Sequence, residues 1–278
     1  MSSGAQQALA TRKPTVIVTG ATSGMGLAAA TLLQQRGFQV FGGGRRVKEP
    51  HTDVAGIGWH PLDVRDEASC GAFVAWVRTQ ATRIDHVVHS AGYALAGAVE
   101  DGELAQLRDQ MDTNFFGAVL MARAVLPVLR EQRGGTLLFV SSLVGLIAAP
   151  FHGYYSASKF AVEGLAEALR YEARPFGVYV SLLEPGDFQT GMTAARISLA
   201  PKLPAYDGLR ERAVEEMGRN EQKGPPSSVA AEKILDILRT PRPRLRYRVG
   251  SDSVWFPRLR PWVPAGLFEW GVRKAFKL

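Results

Sequence analysis

Tyr155 and Lys159 stand four residues apart in Tyr155-Ser156-Ala157-Ser158-Lys159, and Ser142 precedes the tyrosine by thirteen residues. On a helix, residues at this spacing lie one turn apart on the same face, so an ammonium comes within reach of a phenol. A fixed positive charge favours the phenolate. The pairing therefore predicts a Tyr155 pKa drawn down from its ordinary value near 10 toward the range where a general acid or base works best. Many amphipathic helices carry a Tyr and a Lys so spaced, and the pair gains its meaning from what accompanies it. Near the start of the chain lies Thr19-Gly20-Ala21-Thr22-Ser23-Gly24-Met25-Gly26, preceded by the apolar run Val16-Ile17-Val18. Glycines at a strand-to-helix turn let backbone approach a pyrophosphate closely, and the helix N-terminus adds N–H donors. An acid/base pair and a phosphate cradle in one chain imply hydride transfer between a bound nucleotide and a carbonyl or alcohol.

The elements that must position these groups follow from the pattern of apolar residues. Runs rich in β-branched and apolar residues at Thr15–Thr19, 39–42, 58–62, 86–90, 136–141, 179–183 and 245–249 alternate with helical patterns. That alternation predicts an α/β fold: a Rossmann-like, doubly wound parallel sheet of seven strands in three αβα layers, with ligands above the carboxyl ends of the strands. Each candidate residue falls at such a strand end or on the helix that follows it.

At 278 residues with 46% hydrophobic content, the chain can bury one large core, and no linker or repeat suggests a second domain. Residues 1–13 read as a disordered lead-in, 14–250 as the domain, with 191–226 as a substrate lid, and 251–278 as a basic, aromatic tail. No run of eighteen apolar residues occurs, and the polar lead-in lacks a signal-peptide core. Cys70 is the only cysteine, which excludes an internal disulfide and makes the cytoplasm the expected location. The net charge of +7 is crowded into the last forty residues, among them Arg242, Arg244, Arg246, Arg248, Arg258, Arg260, Arg273, Lys274 and Lys277. No nucleic-acid-binding motif accompanies it. A soluble basic surface or an anionic partner, such as a membrane, is expected instead.

The order and spacing of the glycine loop, Asn114, Ser142, Tyr155 and Lys159 resemble the classical short-chain dehydrogenase/reductase family, over about residues 14 to 250. The loop's Gly-xxx-Gly-x-Gly departs from the Gly-x-Gly-xx-Gly of other dinucleotide folds but matches that family's own. The resemblance implies that Tyr155 is the general acid/base, that Ser142 hydrogen-bonds the reacting oxygen, and that Lys159 holds the ribose and lowers the Tyr155 pKa. It also implies that Asn114 positions a water linking Lys159 to solvent. Cofactor contacts are implied for Gly20, Thr22, Ser23, Gly24, Met25, Gly26, Asp63, Val64, Ser90, Ala91, Gly92, Tyr155 and Lys159, with Ser90 standing where relatives carry Asn. Pro185, Gly186, Phe188 and Thr190 match the family's Pro-Gly-xxx-Thr turn at the nicotinamide end. Where an NAD enzyme carries a ribose-binding acid, this chain has Gly44, followed by Arg45 and Arg46. Two guanidiniums can bind a 2′-phosphate bidentately, so NADP(H) is expected ahead of NAD(H).

Competing chemistries fit poorly. No Gly-x-Ser-x-Gly surrounds Ser142, and the five histidines lack metal spacing. Ser142, Leu143, His152, Tyr155, Phe188 and Met192 are expected to line the substrate site. Apolar residues near it (Val144, Leu146, Phe151) and in the lid (Ile197, Leu199, Leu203, Tyr206, Leu209, Met217) suggest a lipophilic ketone, aldehyde or alcohol. Tyr247-Arg248-Val249-Gly250 and Pro264-Ala265-Gly266-Leu267-Phe268 resemble the branch of the family containing 17β-hydroxysteroid and retinol dehydrogenase-like enzymes. If residues 264–278 form a helix, Ala265, Phe268, Val272, Ala275 and Phe276 share one face, and Trp270, Arg273, Lys274 and Lys277 the other. Such a helix docks on its own subunit, on a neighbour in the homo-oligomer that the family implies, or on an anionic membrane. A lipid-associated, NADP-binding regulator is the alternative to an enzyme.

Overall fold

The computed structural model describes residues 12–189 and 196–278. Ten strands and nine helices are defined among the described residues. In chain order the strands are β1 (Thr15–Thr19), β2 (Gln39–Gly44), β3 (His51–Thr52), β4 (Gly58–Pro61), β5 (His86–His89), β6 (Leu95–Ala96), β7 (Gly135–Val140), β8 (Val178–Pro185), β9 (Ile197–Ser198) and β10 (Arg246–Val249). The helices are α1 (Gly24–Gln35), α2 (Glu67–Gln80), α3 (Leu104–Met111), α4 (Gly117–Glu131), α5 (Gly153–Ala173), α6 (Leu209–Lys223), α7 (Ser227–Arg239), α8 (Ser251–Leu259) and α9 (Ala265–Ala275).

The main sheet runs β10-β8-β7-β5-β1-β2-β4-β3, all parallel except for β3. It has eight strands where seven were expected. The extra one is a two-residue antiparallel edge, His51–Thr52 against β4, too short to leave a hydrophobic trace in the sequence. The order reverses at β1, which pairs with β2 on one side and β5 on the other. Crossovers leave to opposite faces from here, so a crevice opens above Thr19 and His89.

β1 is buried along its whole length, so its side chains alternate between two cores rather than between core and water. Val16 and Val18 join Leu33 of α1 and Ile234 of α7 on one face. Ile17 joins Phe73 of α2, Met121 and Val125 of α4, and Val162 of α5 on the other. Each such side chain removed from water contributes roughly 1.5–3 kcal/mol, which makes the central strands the most firmly held part of the molecule. The continuous helical stretch Leu104–Glu131 is long and apolar enough to cross a bilayer by composition. Its apolar stripe is turned inward, since Met121, Ala122, Val125 and Leu129 are buried against the sheet.

The tail is continuous with the domain. Ser253 of α8 is fully buried and its hydroxyl donates to the Glu184 carbonyl at 2.6 Å. Part of the basic crowding also turns inward: Arg246 meets Glu163, Glu167 and Glu184 at 2.7–3.3 Å, and Arg248 meets Glu184 at 3.0 Å. These guanidiniums belong to a partly buried ion network, not to a solvent-facing basic patch.

Candidate active site

The crevice at the sheet's switch point begins where β1 ends. Gly20 adopts φ +64°, and a Cβ there would come within 2.8 Å of the Ala91 backbone. A Cβ on Gly26 would reach 2.4 Å from the Gly20 carbonyl oxygen. Both positions therefore exclude every side chain, and α1 starts tight against the strand. The Ser23 side chain makes no capping hydrogen bond, and the first turn carries no acid, so the helix N-terminus faces the crevice with its donors and positive dipole end. The Thr19 hydroxyl accepts from the backbone N–H groups of Ser90 and Ala91 at 3.2 Å and lies 3.1 Å from His89 Nδ1. It ties the first loop to the second.

These loops bound a cavity of about 550 Å³. Gly20, Thr22, Ser23, Gly24, Met25, Gly26, Arg45, Arg46, Asp63, Val64, Ser90, Ala91, Gly92, Tyr155 and Lys159 all line it, as the sequence led us to expect. Its size and its backbone-lined, anion-attracting floor fit a nicotinamide dinucleotide. The absent acid at Gly44 has a steric reason, because a Cβ there would sit 2.9 Å from Thr22 Cγ2. Asp63 is bound to Arg65, with Nη2–Oδ2 2.7 Å and Nε–Oδ1 3.0 Å, and this guanidinium holds the carboxyl below its usual range. Arg65 reaches on to Asp109 at 2.6 Å, which in turn accepts from the Tyr93 hydroxyl at 2.6 Å. The Asp63 carboxylate thus lines the cavity as one end of an ion-pair chain.

The four expected catalytic residues converge. Ser142 follows β7, and its hydroxyl accepts from Val144 N at 3.3 Å. Tyr155 and Lys159 share one face of α5, with Lys159 Nζ 5.8 Å from the phenol ring centroid and donating to the Val140 carbonyl at 2.9 Å. Asn114 lies in a widened, π-type helical turn at Asp112–Phe116. Its Oδ1 accepts from Tyr93 N at 3.0 Å, while Nδ2 donates to the Tyr93 carbonyl and to Ser158 Oγ, each at 2.9 Å. Here its side chain clamps loop 90–93 to α5, beside Gly92 and Lys159.

The expected lowering of the Tyr155 pKa is not what the structure gives. Burial pushes the phenol up to about 12; its hydrogen bond with Ser142 and the Arg196 cation pull down, and the Glu221 carboxylate pushes up. The reason is desolvation: Tyr155 is only 7% exposed, and its anion would be stranded in a poorly polar site. Lys159 feels the same effect in reverse, its pKa falling to about 8 through burial, partly opposed by Glu163. Helix spacing revealed the neighbours but not the cost of burying them.

A second cavity, about 430 Å³, meets the first at Met25, Ser141 and Tyr155. Ser142, Leu143, His152, Tyr155 and Phe188 line it as expected, and so do Val144 and Met217. Pro185 and Gly186, expected at the nicotinamide end, and Phe188, expected both there and at the substrate, line this second cavity; the Pro-Gly turn packs toward α8, where Asp252 Oδ2 accepts from Asp187 N at 2.8 Å. Thr190 and Met192 lie outside the described residues. Several lid residues point elsewhere. Ile197 is exposed in β9, Leu199 is buried against Gly97, and Tyr206 bonds Glu100 and packs edge-to-face with Phe151.

The tail completes this cavity, as the sequence reading of it did not foresee. Leu267, Phe268, Gly271, Val272, Ala275 and Phe276 of the α9 segment line it, together with Phe256 and Leu259 of α8, while Trp270 is 58% exposed on the outer side. Of the predicted apolar face, Phe268, Val272, Ala275 and Phe276 turn toward this cavity, whereas Ala265 does not line it and no residue of α9 is fully buried. Lys277 departs from the predicted polar face, bridging back to Glu216 at 2.6 Å. Other residues missed from sequence are Thr19, Tyr93, Ser141, Asp187, Arg196, Glu221 and Asp252. Of these, Thr19, inside the glycine motif, and Asp187, inside the Pro-Gly-xxx-Thr turn, carried a local signal.

The short chain dehydrogenase family model matches residues 14–199. The chain belongs to the short-chain dehydrogenase family. Among curated relatives, 3-ketodihydrosphingosine reductase of Bacteroides thetaiotaomicron is 33% identical over 93% of this chain and 96% of its own length. Retinol dehydrogenase 8 of Bos taurus is 31% identical over 91% of this chain and 86% of its own. A short-chain dehydrogenase structure from Streptomyces avermitilis superposes with a TM-score of 0.80 at 30% identity, covering 94% and 97% of the two chains. Two further structures share the fold at lower identity. An alcohol dehydrogenase from Thermococcus sibiricus (TM-score 0.70, 23% identity, 86% and 97% covered) is complexed with 5-hydroxy-NADP. A short-chain dehydrogenase/reductase from Burkholderia phymatum (TM-score 0.77, 20% identity, 90% and 93% covered) is complexed with NAD. This short-chain dehydrogenase is accordingly an oxidoreductase, and its structural neighbours hold nicotinamide cofactors.

Proposed function

We propose that this enzyme interconverts a lipophilic ketone or aldehyde and the corresponding alcohol, using NADP(H), with Tyr155 as the general acid/base. The observation that carries the reading is the position of Tyr155, which lines both cavities and so lies between a nucleotide cradle and an apolar pocket. When bound, the nicotinamide supplies the hydride that adds to the carbonyl carbon. The Ser142 hydroxyl donates to the carbonyl oxygen, and the Tyr155 Oη–H transfers its proton to that oxygen as charge develops there. The phenol's high pKa keeps it protonated and ready to donate at neutral pH. Lys159, with a pKa near 8, is able to return a proton toward the phenolate, and its fixed donation to Val140 orients it. Asn114 keeps loop 90–93 against this group.

NADP is supported by Arg45 and Arg46 on the cavity wall, where Gly44 leaves no acid at the ribose-binding position and the nearby Asp63 carboxylate is already paired with Arg65. A lipophilic substrate is supported by the second cavity's wall of Leu143, Val144, Phe188, Met217, Phe256 and Phe268. A panel of alkyl, aryl, steroid and retinoid ketones and aldehydes, with NADPH loss followed optically, tests the reading. We expect turnover with at least one apolar carbonyl; NADPH binding without turnover of any would overturn it.

A further inference from the structure

The apolar second cavity has one polar wall, formed by His152, Asp187, Arg196, Glu221 and Asp252, which with the outlying Arg260 are its charged and imidazole groups apart from the active site. His152 is 2% exposed. Its Nδ1 lies 3.0 Å from the Pro150 carbonyl, which can only accept, so Nδ1 carries the proton and the neutral ring presents Nε2 as a lone-pair acceptor. Burial keeps the ring neutral, its pKa falling to about 4. Nε2 has no hydrogen-bond partner among the described residues. Such an orphaned buried acceptor calls for a donor.

The carboxylates ask for the same thing. Arg196 is paired with Glu221, both side chains being nearly buried. Asp252 receives the Asp187 backbone N–H at 2.8 Å. The Asp187 carboxylate makes no hydrogen bond or ion pair among the described residues, and burial together with Asp252 and Glu221 pushes it up to about 7. Glu221 and Arg196 act electrostatically on both Asp187 and Tyr155, and all four line the same cavity. Among the described residues, three carboxylates share the cavity lining with two guanidiniums, Arg196 paired with Glu221 and Arg260 directed at the Leu146 carbonyl, and with a neutral imidazole, which leaves the wall one positive charge short. A hydroxyl would satisfy His152, but keeping the buried Asp187 carboxylate ionised calls for a positive charge.

Resting on the ketone/alcohol reading above, we propose that the substrate carries a protonated amine close to its carbonyl carbon, received by the Asp187 carboxylate and His152 Nε2, while its alkyl portion lies under the α9 helix. The substrate class is then an amphiphilic amino ketone or amino alcohol.

A matched pair of probes tests this: dodecan-3-ol and its 2-amino derivative, titrated calorimetrically into the NADP⁺-saturated enzyme at mildly alkaline pH, where Asp187 is ionised. Charge-assisted hydrogen bonds of this kind are worth about tenfold or more in affinity, so the amino alcohol should bind at least about tenfold tighter. In Asp187→Asn that ratio should collapse toward one, and because it is a ratio within one protein, any general loss cancels. Equal binding of the two alcohols by the wild type overturns the proposal without needing any variant, and so does a ratio unchanged in Asp187→Asn. The corresponding ketones, assayed with NADPH, separate the two levels of inference. Turnover of the plain ketone with no amine preference removes the amine site and leaves the reductase. Amine-selective binding without turnover of either ketone leaves the site and removes the reductase reading.

Discussion

The two cavities that meet at Tyr155 are built in opposite ways. The first is made of backbone at the ends of β1, β2, β4 and β5, with loops stitched by Thr19 and Asn114. The second is walled by side chains from segments far apart in sequence: Leu143 and His152, Phe188, Arg196 to Glu221, and the tail from Asp252 to Phe276. A cradle whose floor is backbone recognises what all its ligands share, the pyrophosphate. A pocket of side chains from connecting segments can change its ligand without disturbing the sheet. The division teaches that cofactor binding and substrate choice should fail separately.

The largest separation is expected for Tyr155→Phe, which removes the transferable proton and keeps the ring shared by both cavities. Turnover should drop by about 10²–10⁴ with NADPH affinity almost unchanged. Rates within a few-fold of wild type, at saturating NADPH with an identified substrate, would show that another group is the acid.

A smaller effect, confined to the first cavity, follows from Arg45→Ala combined with Arg46→Ala. Loss of charge-assisted contacts to a 2′-phosphate should weaken NADPH by about 10- to 100-fold and leave NADH nearly as it was. Dissociation constants for both cofactors settle the point; if wild type binds them equally, the two arginines are only surface residues.

The mildest change, confined to the second cavity, is removal of residues 264–278. Stripping the roof formed by Phe268, Val272 and Phe276 should raise KM for an apolar substrate by about tenfold, at roughly 25 cal/mol per Å² of lost apolar contact, and leave the NADPH dissociation constant in place. An NADPH affinity that falls in parallel would mean the two halves are coupled through the tail.

How legible each half was in the sequence follows the same line. Gly20, Gly24 and Gly26 fall within seven residues, and Tyr155 and Lys159 within five, so local spacing alone brings them together. The strands announced themselves because β1, β5 and β7 are buried on both faces and read as continuous apolar runs. Asp187, Arg196, Glu221 and Asp252 span sixty-six positions (187 to 252) and share no periodicity, so nothing short of the fold assembles them. The two-residue β3 was invisible for want of length, and the turn at 185–188, legible as a motif, takes its direction from a contact with α8 that the local sequence does not encode.

By itself the sequence determined the sheet-and-helix alternation, the tight glycine turn after β1 and the Tyr155–Lys159 pairing, because each depends on backbone geometry that neighbours in the chain dictate; Asn114 and Ser142 joined that pair only through the resemblance to the family. Tertiary structure alone decided the charge states and the polar wall of the second cavity. Tyr155 rises to about 12 and Lys159 falls to about 8 because packing strips water from them. Arg246 and Arg248 become parts of an internal ion network because β10 pairs beside β8. Desolvation and long-range charge depend on which distant segments close over a group, and no spacing rule along the chain encodes that.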